Sequence, residues 1–315
     1  MKSNKIMAGI LVSVLALALI SCSLLYQIKS ADQAVDKALS DMKKADETLE
    51  KAEELDSQLD SLEPSEENAS TIISKSAALK ENIKSSQEDL DGAKDRLSDV
   101  QKLRLPAWYK TKYIEKLEDA AKEREDGLKQ MQKMLAKAEN YGKSIQNWYK
   151  GYDNLQESGA NLTAFGEAVQ NSQYATAAEE AEKARTATKS AQSEFNNAAS
   201  YVNIKLYSDA RDAAGILAEL TDPLQELVNL TNEVAGIPPE SLTVDAVNNY
   251  LAQIESLSAE IEDILTKATV VAPTDVPEDG SIPQSGKDQL SDWRKDEIKP
   301  FVSKIKDALK EADEL

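Results

Sequence analysis

Carboxylates are the only abundant reactive group in this chain. Its 315 residues hold 56 Asp and Glu against 37 Lys and Arg, with no histidine and one cysteine, Cys22. A catalytic pair of carboxylates needs environments that push the two pKa values apart. No pair here stands out from the charged faces of a helical pattern. The absence of histidine removes the commonest general base, the Ser-His and Cys-His nucleophile systems and the usual zinc and iron ligand sets. Asp275 through Gly280 matches a calcium loop at its first, fifth and sixth positions, but Pro277 and Gly286 occupy the third and twelfth, so the ligand set fails. Asn68, Asn161 and Asn229 open N-x-Ser/Thr sequons at a frequency that chance would produce, and no phosphate-binding glycine loop occurs. The chemistry predicts no enzyme, cofactor or metal.

Cys22 is the one side chain placed for covalent modification. Lys2 and Lys5 precede an uncharged run from Ile6 to Tyr26 that contains Leu19-Ile20-Ser21-Cys22. This arrangement resembles a bacterial lipoprotein signal, which implies lipidation of Cys22. The apolar run also continues through Leu24, Leu25 and Tyr26, reaching the roughly 20 residues that cross a bilayer as a helix, with Tyr26 at the outer interface. Both readings anchor the chain at its N-terminus. Basic residues before the run, and Asp32 and Asp36 after it, place the body outside the cytoplasm.

Composition narrows the partners. A net charge of −19 opposes nucleic-acid binding, which requires Lys and Arg to neutralise phosphates. Five per cent aromatic and 30% charged residues leave little for a large core and suit narrow apolar seams between long helices.

The elements follow from those seams. Apolar residues recur at 3/4 spacing through Val35, Leu39, Met42, Leu49, Ala52 and Leu59, and again through Ile72, Leu79, Ile83, Leu90, Leu97 and Val100. Pro64 and Pro106 punctuate the pattern. A third helix is predicted from Trp108 to Glu157, stopped by Ser158-Gly159. An alanine-rich seam follows, including Ala177, Ala181, Ala184 and Ala191. A fifth helix is interrupted at Asp222-Pro223, and a sixth runs through Val244, Val247, Leu251, Ile254, Ser258, Ile261, Leu265 and Ala268. The chain therefore reads as all-α: an N-terminal membrane anchor (1–26), then long amphipathic helices packed as antiparallel coiled-coil hairpins in an elongated bundle. The divisions are a helical hairpin (27–105), a long hairpin (106–202), a shorter helical pair (203–269), a Pro/Gly linker (270–286) and a C-terminal helix (287–315) bent at Pro300. An intermolecular coiled coil is the alternative.

Two aromatic segments repeat a theme forty residues apart: Trp108-Tyr109-Lys110 with Tyr113, and Trp148-Tyr149-Lys150 with Tyr152. Aromatics filling bundle ends are the plain reading of both. If one helix leaves the membrane and the next returns, the first segment comes back to the bilayer. There Lys102, Arg104, Lys110, Lys112 and Lys116 face only Glu115, a local +4 in an acidic chain. With Trp108, Tyr109 and Tyr113 they form a candidate membrane interface. Trp148, Tyr149 and Tyr152 would then project outward as a candidate partner-binding tip, with local packing as the competing reading.

The expectation is a membrane-anchored extracytoplasmic coiled-coil protein of the cell envelope, acting as spacer, scaffold or protein-interaction module. Its partners are the membrane and a protein partner or itself. An extracytoplasmic ligand-binding or transporter-accessory module is the alternative, and a sensory or regulatory ectodomain working through a partner is a further one.

Overall fold

The computed structural model describes residues 2–238 and 243–314, with side chains from residue 25 onward. Among these residues all regular structure is helical. In chain order the elements are α1 (Lys2–Ser61), α2 (Glu66–Lys102), α3 (Ala107–Tyr109), a π-helical turn (Lys110–Glu115), α4 (Lys116–Gln170), α5 (Tyr174–Tyr201), α6 (Lys205–Glu219), α7 (Thr221–Ala235), α8 (Val244–Val271), α9 (Gln284–Glu297) and α10 (Lys299–Glu314). No helix of the described residues is long and apolar enough to cross a membrane. The Cys22 side chain, and with it the expected lipidation, lies outside what is described, as do the side chains of the expected anchor up to residue 24.

Two compact units interleave along the chain, where the sequence predicts consecutive stretches. The first comprises Met1–Ser61, Ser74–Lys137 and Glu297–Leu315, and the second Leu62–Ile73 and Ala138–Asp296. In the first unit α1 and α2 are antiparallel. Asp41 meets Arg96, Lys44 meets Asp89 at 3.0 Å, Thr48 meets Ser86 at 2.8 Å and Lys75 meets Gln58 at 2.6 Å. Residue numbers rise on one helix as they fall on the other. The buried stripe of α1 runs Ala31, Val35, Ala38, Met42, Ala45 and Leu49, alternating steps of 4 and 3 as a coiled-coil seam requires. Leu39, expected in that seam, is 45% exposed because Ala38 takes the inward position.

The final helix does not stand apart. Lys306 pairs with Glu53 at 3.3 Å and Lys299 with Asp60 at 3.4 Å, so α10 lies against α1. Gly127 of α4 sits where a Cβ would come 3.1 Å from Leu49 and 3.3 Å from Ala308. That absent side chain lets α1, α4 and α10 meet at one point.

In the second unit the alanine seam of α5 is buried at Ala177, Ala181, Ala184 and Ala191. One core cluster joins Phe165 of α4, Leu220, Leu224 and Val228 around α7, and Ile264 of α8. Ser158-Gly159 lies inside α4 rather than ending it. The buried Ser158 hydroxyl contacts Thr188 Oγ1 at 2.7 Å and donates to the Ala184 carbonyl, tying α4 to α5. The helix stops at Gln170 in a Schellman arrangement: Gln173 N donates to Ala168 O at 2.8 Å, and Ser172 N to Val169 O at 3.0 Å. Ser172 holds the left-handed position usually given to glycine, with φ 57°. Leu220 separates α6 from α7, with Pro223 in the first turn of α7, and Ile298 separates α9 from α10, with Pro300 in the first turn of α10. At both sites proline restarts a helix, where its missing N–H is harmless.

Candidate membrane-facing elbow

The turn between α2 and α4 is a defined structure rather than a loose connection. Leu103 N donates to Val100 O at 3.1 Å, ending α2. Pro106 caps the next helix with extended ψ (142°), and its carbonyl accepts from Tyr109 N at 3.0 Å and Lys110 N at 3.3 Å. The π turn then adds one residue per turn. In an α-helix Tyr109 and Ile114, five residues apart, would face different sides, but the wider turn brings both inward. Both are buried.

Tyr109 fixes the elbow to α1. Its hydroxyl donates to Asp32 Oδ1 at 2.6 Å. Burial pushes the Tyr109 hydroxyl well above the usual phenol range, and the Asp32 carboxylate adds to the shift. The tyrosine is therefore a neutral donor at any ordinary pH. Its ring is 5.8 Å from that of Trp108 and 5.2 Å from that of Tyr113.

Around this fixed point the other predicted residues except Lys110 are presented to solvent. Trp108 is 62% exposed, and Tyr113, Lys102, Arg104, Lys112 and Lys116 are also exposed. Lys112 Nζ lies 5.4 Å over the Tyr113 ring. Lys110 is half-buried and donates to the Gln101 carbonyl. Lys102 pairs with Asp99 at 2.8 Å, which lowers the local +4 read from residues 102–116 to +3 once Asp99 is included. On α1 the packed body begins at Ala31, while Leu25 and Tyr26 are 66% and 76% exposed. The elbow thus meets α1 just past a pair of uncovered apolar side chains. Sequence reasoning missed Asp32 as its docking partner. The one available signal was an acidic residue close behind the apolar run.

The second aromatic segment behaves differently. Trp148 is 1% exposed, packs against Phe195 and Tyr207 with ring centroids at 5.3 and 6.1 Å, and donates from Nε1 to Gly280 O at 2.9 Å. Tyr149 donates to Pro64 O at 3.2 Å and Tyr152 to Glu278 O at 3.1 Å. Trp148 and Tyr152 grip the Pro/Gly segment, and the buried Trp148 offers no surface for the expected partner-binding tip. The segment reading as a faint calcium loop is held the same way. Asp279 Oδ1 accepts from Ser281 N at 3.0 Å, and Gly280 (φ 74°) leaves room for the Tyr152 ring. Grooves on the helical surface have mixed linings. One of about 300 Å³ is bordered by Lys51, Glu54, Leu55 and Lys75, and one of about 540 Å³ by Tyr174, Ala178, Val228 and Asn232.

No protein-family model matches the chain, and no curated protein or solved structure matches it.

Proposed function

We propose that this chain is a membrane-tethered helical scaffold of the cell envelope, with its body outside the cytoplasm and its Trp108 elbow resting on the lipid headgroups. The hydrogen bond from Tyr109 to Asp32 carries this reading. Asp32 follows Tyr26, the last residue of the apolar run, by six positions, about 9 Å along a helix. An elbow docked there reaches the same level as the end of the tether. Exposed tryptophan, tyrosine and lysine suit an anionic headgroup layer, where each cation near the surface contributes about 1 kcal/mol.

The test uses residues 27–315, which lack the apolar run, in flotation with vesicles of anionic or zwitterionic lipid. Binding to anionic vesicles is expected, with a loss of about tenfold or more when Lys102, Arg104, Lys110, Lys112 and Lys116 are replaced by glutamine. Equal binding by that variant and the parent would remove the elbow from the membrane. For the tether, the full chain is expected in the membrane fraction after carbonate extraction. Metabolic labelling with a fatty acid that disappears in Cys22→Ser would assign lipidation, and persistent insertion without label a spanning helix. Release of the full chain into the soluble fraction would overturn the tethered reading.

A further inference from the structure

α8 uses only part of its apolar surface within the chain. It packs on α6 and α7, burying Leu257, Ile264 and Ala268. The 3/4 seam predicted from the sequence is largely uncovered: Val244 is 75% exposed, Leu251 is 52% exposed, and Val247 and Leu265 are also exposed. Val244, Val247, Leu251 and the half-buried Ile254 follow at steps of 3, 4 and 3, so they form one stripe along the first half of the helix. The buried residues lie about 100° around the helix axis from that stripe. The apolar arc of α8 is therefore wider than the contact that α6 and α7 make with it.

The charge around the stripe identifies what would cover it. Glu255 follows Leu251 by four residues and Glu262 precedes Leu265 by three, placing exposed carboxylates along one margin. On the other margin Glu233 of α7 accepts from the Tyr250 hydroxyl at 3.0 Å. From Asp212 to Thr266 the sequence has eleven Asp and Glu and no Lys or Arg. A second copy would bring an equally acidic surface against this one. Anionic lipid would be repelled likewise. A helix with its own apolar stripe and flanking Lys or Arg satisfies both features, burying the valines and leucine while pairing with the carboxylates.

We propose that the exposed face of α8, centred on Val247 and Leu251, docks a basic amphipathic helix of a partner protein. This uses no residue of the elbow or tether. It deepens the scaffold reading by giving the scaffold a cargo site, and its failure leaves the vesicle experiment unaffected.

The test is fluorescence anisotropy with the full chain in neutral detergent micelles. The probe is a labelled 18-residue helical peptide with leucines at i, i+3, i+4 and i+7 spacing and lysines on its flanks. A scrambled peptide of the same composition and empty micelles serve as references. Saturable binding is expected for the patterned peptide, with about tenfold or more loss in Val247→Ser/Leu251→Ser. Glu255→Gln/Glu262→Gln should bind several-fold more weakly and with a flatter salt dependence. All four side chains are exposed, so both variants should keep the parent's helical circular dichroism and melting temperature. Equal binding of the scrambled peptide, or unchanged binding by the serine variant, would overturn the proposal. So would a concentration-dependent dimer in sedimentation that the serine variant abolishes, which would assign the face to a second copy. Vesicle flotation weakened by that variant would assign it to lipid instead.

Discussion

Tyr109 and Asp32 stand 77 residues apart in the chain, yet the phenol donates to the carboxylate at 2.6 Å and closes the elbow against α1. Tyr109→Phe keeps the ring packing and leaves Asp32, an exposed residue, free to take water. The expected cost is therefore modest, about 1 kcal/mol in urea denaturation. The pH dependence has a definite sign. Burial, then Asp32, raises the folded-state pKa above the ordinary value of 10, so this stabilisation is complete below pH 10 and fades as pH climbs beyond it. In an ultraviolet titration the parent should show one more late-ionising phenol than Tyr109→Phe. Identical titrations would mean that the hydrogen bond does not persist in solution.

Asp41 should dominate the acid sensitivity of the α1–α2 contact. Its carboxylate meets Lys44 at 3.1 Å on one oxygen and the Arg96 guanidinium on the other. Burial pushes this carboxyl up, but the two cations outweigh it and hold it below its ordinary value of 3.8. The stabilisation is therefore present above that value and lost as pH falls through the lower folded pKa. Asp41→Asn should cost about 1–3 kcal/mol at pH 7 and progressively less below pH 4, compared by urea titration at pH 7, 4 and 3. A cost independent of pH would mean that shape rather than charge holds this position.

The same substitution should have opposite effects at two glycines of α4. At Gly159 an added Cβ meets nothing within 4 Å, so Gly159→Ala should gain about 0.5–1 kcal/mol from helix propensity alone. At Gly151 the Cβ would lie 2.6 Å from Cε1 of Phe195, a buried ring already packed on Trp148. Gly151→Ala should lose about 1–3 kcal/mol despite the same propensity gain. Thermal unfolding of the two variants gives the comparison directly. A stabilised Gly151→Ala would show that the α4–α5 contact yields more than a packed core should.

Local patterns carried much of the reading. Helix after helix follows from 3/4 spacing and from Pro64, Pro106, Pro223 and Pro300, because period and missing N–H groups act within a turn or two. The elbow was legible for the same reason: the chain breaks at Pro64, so α2 returns antiparallel to α1 and brings Trp108 and its lysines back beside the start of α1. The end of α4 was not, because its left-handed residue is Ser172, while Ser158-Gly159 offered the usual stop signal. At that point the buried Ser158 hydroxyl meets Thr188 and the Ala184 carbonyl of α5, contacts that no local pattern announces.

The sequence by itself determined that this is a helical, acidic chain with narrow seams, an apolar N-terminal run and a basic aromatic turn. Tertiary structure alone decided which seams meet. A stripe of alanines and leucines on one helix fits many others, so nothing local sends α10 back to Leu49 and Gly127, or buries Trp148 against Phe195. Nor does anything local leave Val247 and Leu251 of α8 in water. Those outcomes depend on the summed contacts of segments far apart in the chain, where one methyl group at Gly127 or Gly151 separates a fit from a clash.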